Sequence, residues 1–219
     1  MYTDWEICWL FDEFEDPEIF LNRLRENPEG VLADEYDRYR DRLWRIVNFR
    51  LDTRLLGRVD ADDILQEAYL DAATRIEHYL NDPATTFFIW LRTIVGQTLI
   101  DVHRRHLGAQ KRDVRREVKA KRRVFSASTS FQIANVLLGD MTSPSQAALK
   151  EELAIQLREA LESLNEIDRE ILVLRHFEEL SNLEASEVLE IEPKTASMRY
   201  FRALTRLRSI LVQIPGIIE

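Results

Sequence analysis

The chain has little of what would mark a secreted, membrane-bound or β-rich protein. Among its 219 residues there is one cysteine. Cys8 cannot close an internal disulfide and lacks companions for a structural zinc site, so a reducing, cytoplasmic setting is expected. Glycine and proline number only six each, and few runs alternate apolar with polar side chains, which favours long helices over sheets. No apolar run approaches the roughly 20 residues needed to cross a bilayer, so membrane insertion is not expected. Asp4 and Glu6 stand where a secretory signal would carry Lys or Arg. No glycine-rich phosphate loop joins a strand to a helix. His103 and His106 are three apart with two arginines between them and no third ligand, and read better as surface or backbone-contacting residues. Nothing groups the many serines and carboxylates with a base. Neither an enzyme nor a cofactor is expected.

What the chain does have is charge, unevenly placed. The overall balance is −9, with 32% charged and 45% hydrophobic residues. Residues 1–41 carry a net −9, residues 102–124 a net +8, residues 150–193 another −9, and residues 194–218 a net +5. Two compact basic segments in an acidic chain suit a protein that meets nucleic acid at two places and another partner elsewhere. Solvated helix faces are the plainer reading of the same numbers.

Apolar residues recur at helical spacing in several blocks. Tyr36, Tyr39, Leu43, Ile46 and Val47 predict a helix over about 34–48. Asp60 is a candidate N-cap, with Asp63 three residues on, for a helix striped by Ile64, Leu65, Ala68, Tyr69, Ala72 and Ile76. Asn81-Asp82-Pro83 breaks it. A third helix is expected from Thr86 to about His106, with Phe87, Trp90, Leu91, Ile94, Val95 and Leu99 as core. Residues 125–149, rich in Ser and Thr, read as a linker that holds one apolar patch, Phe131 to Leu138. Helices over 150–164 and 166–179 should follow. A capping box at Ser181 and Glu184 then opens a short helix ending near Glu190, and Pro193 suits the start of a last helix reaching about Val212. A short helix, a tight turn and a longer basic helix describe a helix-turn-helix. The expected fold class is all-α: two small helical domains, 34–112 and 150–214, joined by a linker at 113–149 and preceded by an acidic, aromatic extension at 1–33.

On the last helix, Ala196, Tyr200, Ala203, Leu204, Leu207 and Leu211 share one face and form its core side. Thr195, Arg199, Arg202 and Arg206 make a second stripe; Lys194, Met198, Phe201 and Thr205 make a third. An exposed side that is basic and free of acids suits a major groove, where arginine reads guanine through two parallel hydrogen bonds. Lys194, Thr195, Ser197, Met198, Arg199, Arg202 and Arg206 are the candidate recognition residues. Arg199 or Arg202 is expected to read a base, and Arg206 to hold a phosphate.

Residues 181–208, SNLEASEVLEIEPKTASMRYFRALTRLR, resemble the promoter-binding segment of extracytoplasmic-function sigma factors. The blocks DADDILQEAYLDAATRIEHY (60–79) and FFIWLRTIVGQTLIDVHRRH (87–106) resemble the polymerase-binding and promoter-melting domain of the same family. A stand-alone helix-turn-helix regulator would leave the Asp60–His106 block unexplained, and a degenerate sigma-like interaction module is the other alternative.

The resemblance implies a sigma factor that directs RNA polymerase to promoters at a specific regulon. Its partners would be the core enzyme (β′ clamp helices and β flap), promoter DNA, and in some settings an anti-sigma protein. It implies that Asp63, Gln66 and Glu67 dock on the clamp helices. The segment His78 to Phe88 would capture an unstacked base, with Tyr79, Phe87 and Phe88 stacking and Asn81 reading an edge. Gln97, Asp101, Arg104 and Arg105 would follow the melted strand, their positive field extended by Lys111, Arg112, Arg115 and Arg116. Several positions depart from the family's habit. Gln97 stands for Asn, Glu190 for the Gly of the turn, Glu192 for a Ser cap, and Ala196, Ser197 and Met198 for Val, Lys and Ser. The acids and aromatics of residues 1–30 are expected either to cover their own domain or to fold back over the basic stretch and mask it from DNA.

Overall fold

The computed structural model describes residues 16–55, 57–107, 155–157, 159 and 161–212. Among these there are helices and turns and no strand. Seven α-helices have both ends among the described residues: α1 (Pro17–Glu26), α2 (Pro28–Arg50), α3 (Ala61–Asn81), α4 (Phe87–Leu107), α5 (Glu166–His176), α6 (Asn182–Leu189) and α7 (Pro193–Leu211). A 3-10 turn (Thr53–Leu55) links α2 towards α3. The 1–15 arm, the 113–149 linker and the 131–138 patch lie outside the described residues.

The N-terminal unit packs α2, α3 and α4 together, with α1 laid across α2 and α3. The apolar stripes supply its core: Leu43 and Val47 from α2, Ile64, Ala68 and Ala72 from α3, Leu91, Ile94, Val95 and Leu99 from α4. Burying a Leu or Ile stabilises by about 1.5–3 kcal/mol. The fully buried Ala68 and Ala72 let α3 approach its neighbours closely. A larger side chain at either position would cost about 1–3 kcal/mol by overpacking. The Tyr36 hydroxyl donates to the Leu65 carbonyl at 2.7 Å, and burial pushes that phenol well above its usual range.

Two boundaries differ from expectation. Helix α2 starts at Pro28, about two turns before the apolar stripe that begins at Tyr36, because the Asn27 side chain accepts from the Gly30 amide at 3.1 Å and Pro28 occupies the first position. In α3, Asp60 caps the Asp62 amide at 3.1 Å rather than the Asp63 one. The extension folds, over 17–26, as a covering helix: Leu24 is buried and the Phe20 ring lies 5.1 Å from that of Phe87.

The C-terminal unit is built on α5, α6 and α7. Ile171, Leu172, Val173 and Leu174 of α5, Ala185 and Leu189 of α6, and Ala196 and Ala203 of α7 meet in its core, with Leu157, Leu161 and Leu164 from the preceding segment. The capping box of α6 is complete: Ser181 Oγ accepts from the Glu184 amide at 3.2 Å, and Glu184 Oε2 accepts from the Ser181 amide at 2.7 Å. Glu190 ends α6 in the left-handed region, φ 53° and ψ 44°. Glycine enters that conformation without penalty, whereas a side chain costs about 1 kcal/mol. Glu192 precedes α7 without a side-chain cap bond.

The two units touch. Carboxylates of the α5–α6 corner meet arginines of α2 and α4, centred on Arg50 and Glu178, both buried. The rings of Phe49 and Phe177 stack beside them, centroids 4.5 Å apart.

Candidate polymerase and promoter interfaces

Helix α3 presents Asp63, Gln66 and Glu67 to solvent on one side, as the spacing i, i+3, i+4 requires. Leu70 continues this ridge one turn further and is 65% exposed. It went unnoticed in the sequence because its spacing also fits an ordinary helix edge. Arg105 of α4 grips Glu67 through both carboxylate oxygens, at 2.6 and 2.8 Å. The expected docking carboxylate and an expected DNA-contacting arginine therefore hold each other. Both side chains are about half exposed, so the pair is worth about 1 kcal/mol at most.

Within the expected base-capturing segment the stacking role of Tyr79 and Phe88 is corrected, while Phe87 takes the core position also expected of it. Tyr79, Phe87 and Phe88 are buried, Phe88 to 3% exposure. The Tyr79 hydroxyl donates to the Thr85 carbonyl at 3.0 Å, and its ring packs against Phe87 and Trp90. Burial raises the Tyr79 phenol to about 12. Phe88 lies under the Arg42 guanidinium, 3.8 Å from ring centroid to carbon. These rings hold the unit together and offer no face to a base in this conformation. Aromatic residues at the edge of a loop are as suited to closing a core as to stacking, and their spacing does not distinguish the two. Asn81 is exposed, as are Asp82, Pro83 and Ala84.

Along α4, Gln97 is half-buried and lines a cleft of about 310 Å³ between the two units, together with Gly96, Ile100, Glu166 and Ile167. Asp101 is half-buried and pairs with the exposed Arg104 at 3.5 Å. His103, expected at the surface, is buried. Its Nε2 accepts from the Asp52 amide at 3.2 Å, fixing the chain as it leaves α2. Burial lowers its pKa, so it stays neutral and able to accept. His106 is exposed. Among the described residues no His, Cys, Asp and Glu cluster could hold a metal ion.

Helix α7 places Ala196 and Ala203 in the core and half-buries Tyr200, Leu204 and Leu207, as its periodicity requires. Lys194, Ser197, Met198, Arg202 and Arg206 are exposed. So are Phe201, at 71%, and Arg208. The stripe read as Thr195–Arg199–Arg202–Arg206 splits along the helix. Thr195 and Arg199 are half-buried, and Arg199 donates to Asp168 of α5 at 2.9 Å. Arg199 is thus corrected from an open base reader to a brace between α5 and α7. Ser197 donates to Asn182 Oδ1 at 3.0 Å, and Asn182 Nδ2 donates to the Pro193 carbonyl at 2.9 Å, which sets the angle of α7 on α6. No acid pairs with Arg202, Arg206 or Arg208 among the described residues.

A bundle with an acidic ridge, followed by a helix-turn-helix with a basic outer face, defines a two-unit transcription protein. Comparison with known families agrees: the model for Sigma-70 region 2 matches residues 36–107, and that for Sigma-70, region 4 matches residues 154–207. The chain is 26% identical over 192 residues to the ECF RNA polymerase sigma factor SigW of Bacillus subtilis (strain 168), covering 87% of this chain and 94% of that protein. It is 26% identical over 189 residues to the RNA polymerase sigma-H factor of Pseudomonas aeruginosa, covering 82% and 92%. A solved structure of CnrH in complex with the cytosolic domain of CnrY aligns at 19% identity and a TM-score of 0.48, covering 89% of this chain and 96% of that one. The chain belongs to the sigma-70 family and is an RNA polymerase sigma factor of the extracytoplasmic-function type, acting in promoter-specific transcription initiation.

Proposed function

We propose that the α3 ridge of Asp63, Gln66, Glu67 and Leu70 is the surface that docks on the β′ clamp helices, and that the outer face of α7 reads duplex DNA upstream of the melted region. The exposed carboxylates suit a basic partner, and Leu70 adds an apolar contact that water would otherwise cover. On α7, the exposed Arg202 would read a base, Lys194 and Arg206 would hold phosphates, and Met198 and Phe201 would meet thymine methyl groups. The exposed Asn81, Arg104 and Arg105 would follow the melted strand, and the second unit would rest on the β flap. The setting is the cytoplasm, where the polymerase is. Among the described residues no helix is long and apolar enough to cross a membrane. An anti-sigma protein is proposed as a further partner.

The single observation that carries this reading is the exposed, acid-free basic face of α7 in a helix-turn-helix that follows an acidic bundle. Asp63→Ala, Gln66→Ala and Glu67→Ala together should abolish co-elution with core polymerase. The melting transition should stay within about 0.5 kcal/mol per exposed site, apart from the lost Glu67–Arg105 pair. Unchanged co-elution with an unchanged melt would rule the ridge out.

A further inference from the structure

Asn182 does more than begin α6. Its side chain crosses to α7 and takes hold of one turn of it: Nδ2 donates to the Pro193 carbonyl at 2.9 Å, and Oδ1 accepts from the Ser197 hydroxyl at 3.0 Å. Residues 193 and 197 lie one above the other, a turn apart on the same edge of the helix. Asn182 projects from a fixed base, because Ser181 and Glu184 close the capping box around it. Its amide is half-buried, and the oxygen and the nitrogen are both engaged with α7.

The head of α7 needs such a hold. Glu192 gives it no side-chain cap bond. The residues that α7 buries, Ala196 and Ala203, allow close approach but are too short to interlock with their neighbours. Towards α5 the helix has two polar contacts, Arg199 with Asp168 at 2.9 Å and Tyr200 with His176 at 2.8 Å, so either can be lost while the other stays. Both lie beyond the first turn. A helix held at one level can still pivot there, and a second hold nearer its head gives it one direction. The Ser197 proton is given to Asn182 and not to a base. A tilt of the head would carry Lys194 and Met198 with it and shift Arg202, which stands about 7.5 Å beyond Ser197 along the axis.

We infer that Asn182 is a positioning residue for promoter reading: through Pro193 and Ser197 it fixes the direction in which α7 enters the groove, and Ser197 serves that hold instead of contacting DNA. This rests on the reading of α7 as the helix that meets upstream duplex. Losing one base contact erases preference at one position, whereas a helix free to tilt blurs several. Base-edge hydrogen bonds weaken steeply with misalignment. Long Lys and Arg side chains keep their phosphates through a small tilt, so binding without sequence preference is unaffected.

The test uses holoenzyme assembled from the full chain and purified core polymerase, with a randomised duplex DNA library as probe and sequencing of the bound fraction as readout. Asn182→Ala should lower preference about five-fold at two or more neighbouring upstream positions, the size expected from a lost hydrogen bond. The salt dependence of binding to one duplex of arbitrary sequence should stay parental, because no phosphate contact is lost. Ser197→Ala should give the same pattern, and Ser197→Thr, which keeps the hydroxyl, the parental one. The double alanine variant should lose no more than the worse single variant. Glu192→Ser supplies α7 with a local cap. Added to Asn182→Ala, it should raise the melting temperature and leave the preference blurred. Restored preference would make Asn182 a stabiliser of the helix alone and overturn the positioning role. Loss at a single position from Ser197→Ala, additive with Asn182→Ala, would overturn it too, by marking Ser197 as a base contact. Should Asn182→Ala lose helicity, Ser197→Ala, at an exposed site, carries the test by itself. If Arg202→Ala changes the preference and neither Asn182→Ala nor Ser197→Ala does, only the positioning role falls. If all three keep the parental preference, the duplex-reading role of α7 falls with it.

Discussion

Two sets of helix arginines look alike in the sequence and do opposite things in the fold. Arg42, Arg45, Arg50 and Arg92 are each met by a carboxylate from the other unit. Arg202, Arg206 and Arg208 point outward from α7 with no acid beside them among the described residues. The difference is set by what lies across from each helix. It teaches that the net charge of a segment says little about its partner until the fold decides which charges neutralise one another.

The comparison can be broken most sharply at Arg50. Arg50→Ala leaves Glu178 buried with Arg92 as its remaining strong partner and should cost about 3–5 kcal/mol of stability, whereas Arg202→Ala should change it by less than about 0.5 kcal/mol. Urea unfolding of the two variants measures both. Equal, small losses would mean that the buried cluster has no special standing.

Protons probe the same cluster. Burial would raise the Glu178 carboxyl, but Arg50 and Arg92 outweigh it and hold it at about 2, below the usual 4.5. Arg50, Arg92 and the neighbouring Glu170 are the charged groups that face it. A carboxyl depressed on folding stabilises fully above its unfolded value and loses that contribution as pH falls through about 4.5 towards 2. The amount at stake is on the order of 3 kcal/mol. Unfolding midpoints from pH 6 to 2.5 should fall more steeply in the parent than in Glu178→Gln. Parallel curves would detach Glu178 from acid stability.

The smallest effect distinguishes neighbours on α7. Arg202→Ala should relax base preference at one upstream promoter position by about 1–3 kcal/mol. Arg199→Ala should instead lower stability by about 1 kcal/mol, through loss of the half-buried Asp168 pair, and keep the parental preference. Single-base promoter scans of both variants, with thermal melts, check the assignment.

Much of this was legible from local chemistry. The capping box at Ser181 and Glu184, Pro193 at the head of α7, and the apolar stripes of α3 and α4 each follow from a few neighbouring residues, and the helices form where those residues predict. The head of α2 was hidden because Asn27-Pro28-Glu29-Gly30 reads as a turn until the Asn27 cap is seen. The site was less legible than the fold. Helical spacing shows that Arg199 and Arg202 lie on different edges, but not that α5 covers the first. The rings of Tyr79 and Phe88 carry no local sign of their burial. Pairs such as Arg50 and Glu178, 128 residues apart, leave no periodic trace at all.

That long-range pairing bears on heredity. Glu178 is enclosed between arginines of two helices from the other unit, so positions 50, 92 and 178 cannot drift one at a time without stranding a charge. They form one heritable set divided between two halves of a gene. A chimera that joins the first half of this chain to the second half of a relative inherits a working interface only if the relative's residues at these positions answer in kind. The boundary between the units is therefore a poor place for recombination.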